Sequence, residues 1–323
     1  MNSSTMLRIL LGWILAGAAI AQTYPAKPVR MVVPYAAGGA TDTVARALGN
    51  RLAEVLGQSV VVENRAGAGG IIGADNIAKA APDGYSLLLT VGPPHGAYPL
   101  FTRTVPFDTM RDFTPIVIVG IAPQALVAHP SLPVANMREL VDYAKKNPGR
   151  LAFATAGTGS SQHMGGVLLN RLAGLDLVHV PYKGGGPALN DLLGGQVPLA
   201  IVILSNVVAH AKSGKVKLLA VIEAQRAKGA PDIPTVGEAV AGYALPDTWI
   251  GLVGPAGLPA PLVTQLHAAM IKTLAFADVR QRLEAAGFEL REKDNTPQAL
   301  TELIGRGFET YRKITTEAGI KPE

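Results

Sequence analysis

Val32-Val33-Pro34-Tyr35-Ala36-Ala37-Gly38-Gly39-Ala40-Thr41-Asp42 reads as a buried strand, a glycine turn and the start of a helix. Leu151-Ala152-Phe153-Ala154-Thr155-Ala156-Gly157-Thr158-Gly159-Ser160-Ser161-Gln162-His163 reads the same way. The first turn of a helix has unpaired N–H donors and carries the positive end of the helix dipole, so each stretch aims donors at an anion. Two such turns facing each other make a trap for a carboxylate.

Working outward, Val29 to Pro34 is a short β-branched run, and Thr41 to Leu56 places Val44, Ala47, Leu48, Leu52 and Val55 at helical spacing. Gln58 to Glu63 is a second strand, Ile71 to Ala80 a second helix, and Tyr85 to Thr90 a third strand after the Pro82-Asp83-Gly84 turn. This βαβαβ rhythm predicts a parallel sheet with helices on both faces. A second set follows: helix Asn136 to Asn147, strand Leu151 to Thr155, helix Gln162 to Ala173 and strand Val178 to Pro181. Tyr182-Lys183-Gly184-Gly185-Gly186-Pro187 turns into helix Ala188 to Leu193, and Pro198 to Ile203 and Val216 to Ile222 are further buried strands. Trp249 to Val253 is another strand, and amphipathic helices at Asp278 to Ala286 and Pro297 to Glu317 cover the end of the chain. The long apolar run Ile116 to Ala128, broken by Pro123, fits a crossing between two domains. Crossings near residues 120–126 and 220–226 divide the chain into 22–123 plus 223–323 and an inserted domain 124–222, joined by a hinge.

The N-terminus resembles a secretory signal: Arg8, an apolar run Ile9 to Ile20 too short to span a bilayer, and the small-x-small site Ala19-Ile20-Ala21 before Gln22. Residues 1–21 are read as the signal and the product as periplasmic. Charged residues are 16% and hydrophobic residues 48%, a composition able to fill a core. The formal net charge is +5, which suits small anions, but Lys and Arg are scattered and aromatic residues are only 5%. A nucleic-acid surface needs a basic stripe with stacking rings, so none is expected. The absence of Cys removes disulfides, thiolate catalysis and Cys-based metal sites.

Other motifs fail on count. Gly67 to Gly73 has Ile72 where a dinucleotide loop needs its third glycine, and Gly214-Lys215 lacks the upstream glycine and following hydroxyl of a P-loop. No Gly-x-Ser-x-Gly elbow surrounds Ser160 or Ser161, and the six His residues show no metal-ligand spacing. No metal, cofactor or catalysis is therefore expected. Thr41 and Asp42 read either as helix caps or as parts of an anion site, and Thr158, Ser160 and Ser161 either as a capping cluster or as carboxylate donors. His163 either meets the ligand or packs under the turn. Lys183 is either a cleft cation or a solvated side chain, and Trp249 either seals the interdomain seam or touches ligand.

An ordered series of segments also resembles a known family along essentially all the mature chain. These are Tyr24-Pro25-Ala26-Lys27-Pro28-Val29-Arg30, Val33-Pro34-Tyr35 with Gly38-Gly39 and Thr41-Asp42, Val61-Val62-Glu63-Asn64-Arg65-Ala66-Gly67-Ala68-Gly69-Gly70, and Ala80-Ala81-Pro82-Asp83-Gly84-Tyr85. Gly157-Thr158-Gly159-Ser160 with His163, Val178-His179-Val180-Pro181-Tyr182-Lys183-Gly184, Ile233-Pro234-Thr235-Val236 and Gly254-Pro255-Ala256-Gly257 continue it. Together they resemble the Bug-type extracytoplasmic receptors of tripartite tricarboxylate transporters. The resemblance implies a two-domain type II periplasmic-binding-protein fold, a Venus flytrap that closes over a small organic acid and delivers it to membrane transporter subunits. It implies a monomer that binds carboxylate through the first loop, Ala36 to Asp42, with Thr158 to His163 opposite. The candidate ligand residues are Tyr35, Ala37, Gly38, Gly39, Thr41, Asp42, Thr90, His95, Thr158, Gly159, Ser160, Ser161, His163 and Lys183. Where relatives carry acids, Val197 to Leu204 is apolar here, and the Val91-Gly92-Pro93-Pro94-His95 loop is rich in proline; both argue for an acid without an amine. A secreted hydrolase using Ser160 or Ser161, and a sensor presenting ligand to a membrane kinase, are the alternatives.

Overall fold

The computed structural model describes residues 24–92, 98–100, 102–285, 287–291, 293–317, 319 and 322. The expected signal segment and His95 lie outside them. In chain order the strands are β1 (Val29–Val33), β2 (Val60–Asn64), β3 (Ser86–Val91), β4 (Phe113–Ile121), β5 (Gln124–Ala128), β6 (Ala152–Thr155), β7 (Val178–Pro181), β8 (Leu199–Ile203), β9 (Lys217–Val221), β10 (Trp249–Pro255) and β11 (Glu289–Leu290). The helices are α1 (Ala40–Leu56), α2 (Ile71–Ala78), α3 (Met137–Lys146), α4 (Ser161–Ala173), α5 (Gly185–Leu193), α6 (Val208–Lys212), α7 (Ala260–Ala275), α8 (Ala277–Ala285) and α9 (Pro297–Glu317).

The strands form two sheets. The first has the order β11-β4-β10-β3-β1-β2 and the second β7-β6-β8-β5-β9. Each opens with the expected parallel unit: β1 pairs in parallel with β2 and β3, and β6 with β7 and β8. Both sheets are nevertheless mixed, because β10 runs antiparallel to β3 and β4, and β5 antiparallel to β8 and β9. These strands enter from the other sheet rather than through a crossover helix, which removes the constraint that makes a sheet parallel.

Each sheet is covered on both faces, as its apolar runs require. Val44, Leu48 and Leu52 of α1 and Leu266 and Met270 of α7 pack on one face of the first sheet. Ile77 of α2 and Leu300 and Ile304 of α9 pack on the other. In the second sheet Leu140 of α3 and Met164 and Leu168 of α4 take one face, and Ala188 and Leu192 of α5 the opposite one.

The two-residue step Ala122-Pro123 leads from β4 of the first sheet to β5 of the second. The return is longer. Val221 bridges Thr235 and Glu223 bridges Leu245, so residues 235–245 stay beside the second sheet and the chain re-enters the first at β10. Helix α9 also spans both layers: Tyr311 is buried with Val240, Tyr243 and Leu245 in the second sheet's core.

Candidate ligand-binding site

The ends of β1 and β6 deliver the two glycine turns to a cavity between the sheets. Its first wall is Tyr35, Gly39, Ala40, Thr41 and Val91; its second is Ala156, Ser160, Ser161, Gln162, Gly185, Ile203 and Asn206, with Gln124 beside the crossing. None of these side chains carries a charge.

Three helix starts converge there. Helix α1 begins after Gly39 with no side-chain cap, leaving its first-turn N–H groups open. Helix α4 begins after Ser160, whose Oγ accepts from His163 N at 3.1 Å, so the N–H groups of Ser161 and Gln162 remain. Helix α5 begins after Gly184, again without a side-chain cap. At roughly +0.5 elementary charge per helix start, the three ends present about +1.5 charges to one neutral cavity, which favours an anion. The third start is missed by the sequence reading, which begins that helix at Ala188; Pro187 in the first turn is the available signal.

Asp42 does not face this cavity. Gly38 N donates to its Oδ2 at 3.0 Å, Asn64 Nδ2 to its Oδ1 at 3.0 Å and Arg46 Nε to its Oδ2 at 3.0 Å. Burial alone would raise its pKa, but hydrogen bonds from Arg46, Gly38 and Asn64, with the Arg46 charge, hold it below the ordinary carboxylate value. Asp42 thus braces the turn from behind and keeps its charge away from an incoming anion. Asp42→Ala is expected to leave these donors unpaired and cost about 2–3 kcal/mol. The check is the urea midpoint near neutral pH; a midpoint equal to the wild type's would show the brace to be idle.

Of the remaining candidates, Tyr35, Gly39, Thr41, Ser160 and Ser161 line the cavity. Ala37 and Gly38 are exposed at the tip of the turn. Thr90 is buried on the opposite face of β3 from Val91, because neighbouring strand residues alternate. Thr158 and Gly159 belong to the seam between layers: Gly159 packs on Tyr98, and Gly69 lies against the Thr158 carbonyl. His163 packs under the turn, its ring stacked on His179 with centroids 4.0 Å apart and its Nδ1 facing Gly159 N at 3.3 Å. Lys183 is exposed and contributes its carbonyl, which accepts from Ala36 N at 3.0 Å across the seam. Trp249 is buried against Gly92 and Leu300 rather than in the cavity.

Neither candidate serine forms a nucleophile–base pair. Ser160 Oγ donates to Gly157 O at 2.7 Å, and Ser161 Oγ accepts from Gln124 Nε2 at 2.6 Å. The Ser160 hydroxyl also accepts from the His163 backbone N–H, so both hydroxyls are engaged in structural hydrogen bonds. Among the described residues no helix is long and apolar enough to cross a membrane.

The likeness to known proteins runs the length of the chain. The family described as "Tripartite tricarboxylate transporter family receptor" matches residues 44–320. The chain is similar to the protein BugT of Bordetella pertussis, 35% identical over 332 residues with 99% of each chain covered. Among solved structures it is similar to the periplasmic binding protein BugD, with a TM-score of 0.88, 37% identity and coverage of 93% of this chain and 100% of that one. It is also similar to MatC from Rhodopseudomonas palustris with bound malate, with a TM-score of 0.86, 35% identity and coverage of 90% and 100%. The two sheets therefore form the two-domain Venus-flytrap fold of periplasmic binding proteins, and the chain belongs to the receptor family of the tripartite tricarboxylate transporters.

Proposed function

We propose that this chain is a periplasmic receptor that closes its two domains, 22–123 plus 223–323 and 124–222, over a small organic acid and hands it to membrane transporter subunits without chemical change. The convergence of three helix starts on one cavity lined by no charged side chain carries this reading, because that array recognises a carboxylate. MatC, whose structure holds malate, supports an acid of few carbons. Delivery to a transporter follows from the family, and the hydrolase alternative is weakened by the engaged hydroxyls of Ser160 and Ser161.

The test is a thermal-shift panel of mono-, di- and tricarboxylates. A ligand at about 100 times its Kd is expected to stabilise the receptor by about 2.7 kcal/mol, visible as a rise in Tm. No shift with any carboxylate near neutral pH would refute the receptor reading. Ester turnover lost in Ser161→Ala would install the hydrolase in its place.

A further inference from the structure

Gln124 opens β5 at the crossing, is fully buried, and lines the cavity. Its Nε2 donates to Ser161 Oγ at 2.6 Å and to Thr248 Oγ1 at 2.7 Å, while its backbone N–H donates to both oxygens of Glu223 at 3.1 Å. Its Oε1 is buried and accepts nothing. Such an orphaned carbonyl costs about 1–3 kcal/mol, and most buried polar groups find a partner.

The amide thus turns its NH2 group to Ser161 and Thr248, which leaves the carbonyl oxygen as the unpartnered atom of a side chain that lines the cavity.

The helix starts supply donors for the oxygens of an acid, and a carboxylate cannot satisfy an acceptor such as Gln124 Oε1. A ligand that brings a donor of its own satisfies it. No Asp or Glu lines the cavity to pair with an ammonium group, whereas a neutral hydroxyl is satisfied by one carbonyl. Resting on the carboxylate reading above, we propose that Gln124 is a specificity residue that accepts a hydrogen bond from a ligand hydroxyl, so that the receptor selects hydroxy acids over their deoxy counterparts.

Calorimetric titration with matched acids tests this: malate against succinate, 2-hydroxyglutarate against glutarate, citrate against tricarballylate, with aspartate and glutamate as amino counterparts. In the pair that binds best, the hydroxy acid is expected to bind about tenfold tighter or more. Gln124→Met is expected to shrink that ratio to about twofold or less by weakening the hydroxy acid alone. The proposal is overturned if the deoxy or amino acid binds as well as the hydroxy acid, or if Gln124→Met weakens both members equally. If that variant does not fold, the wild-type ratio decides, together with Thr248→Val, which removes one acceptor holding the amide and is expected to lower the ratio. Binding of no carboxylate at all would instead refute the receptor reading.

Discussion

Gly69→Ala is expected to abolish tight ligand binding while leaving the ligand-free protein folded. Gly69 adopts a left-handed φ of +65°, and a Cβ there would collide with the backbone carbonyl of Thr158 in the opposite layer. Gly157 closes the same gap from the other side: at φ +134°, its Cβ would lie 2.8 Å from the Gly69 Cα. Backbone faces backbone at this seam, so no side chain can swing aside to make room. The added methyl is relieved only by parting the layers, which removes the α4 and α5 helix starts from the ligand while α1 stays. Losing two or three charge-assisted hydrogen bonds of about 1.5–3 kcal/mol each predicts at least a hundredfold weaker binding, at about 1.4 kcal/mol per tenfold.

Gly57→Ala is the matched control. Gly57 also has a left-handed φ, +70°, but nothing lies within 4 Å of its absent Cβ, and it ends α1 far from the cavity. Both variants carry a left-handed alanine, a cost of about 1 kcal/mol in the ligand-free protein. Titration with the best acid of the panel separates strain from blocked closure. If Gly69→Ala binds within about twofold of Gly57→Ala, the seam is not what closes over the ligand.

The sequence made the two main turns readable because each combines three local signals: a β-branched run, glycines that tolerate positive φ, and a helical repeat of apolar residues. Ser160 is legible as a capping type for the same reason, whereas Asp42, read as a cap or part of an anion site, braces the turn instead. Neighbours supplied by other parts of the chain were not. Gln124 meets Ser161 and Thr248 only after the chain crosses twice, and no local pattern marks it. Gly67 to Gly73 reads as a failed nucleotide loop, yet its Gly69 is explained by the close approach of Gly157 and Thr158, and its Gly70 and Gly73 by that of Tyr98 and Pro34. Lys183 illustrates the reverse error. A cation near a glycine turn invites an anion-binding role, but the strand end turns its side chain outward and only its carbonyl reaches the seam. Mixed pairing in the sheets was likewise hidden, since strand direction follows from the crossings and not from β-branched composition.

The stability of the ligand-free protein is expected to peak near pH 6.5, with the buried Glu223 and the half-buried His163 and His179 setting the shape of the curve. Burial pushes the His163 pKa down to about 4 and, with the neighbouring His163 ring, that of His179 down to about 3, against an ordinary 6.5. Between those values the unfolded chain binds protons that the folded one refuses, so stability rises with pH, and the gain tails off over about one unit above 6.5. Glu223 has the opposite sign. Burial and the nearby Asp247 raise its pKa from 4.5 to about 8, despite hydrogen bonds from Gln124 N and Thr248 that favour the charged form. From 4.5 to 8 the folded protein holds a proton the unfolded chain has released, so this term lowers stability as pH rises. Two histidines outweigh one glutamate below 6.5, and above it the glutamate outweighs what is left of the histidine gain. At about 1.4 kcal/mol per proton and pH unit, and with the last of the histidine gain offsetting part of it, the fall from 6.5 to 8 amounts to about 1 kcal/mol. Glu223→Gln keeps a carbonyl to accept from Gln124 N but cannot ionise, so its curve is expected to level off over about one unit above 6.5 while the rise below it steepens. Urea denaturation from about pH 5 to about pH 8.5 reads both limbs. A wild-type protein as stable at the top of that range as at 6.5, or a variant that still loses stability there, would place the descending limb on some group other than the glutamate beside the crossing.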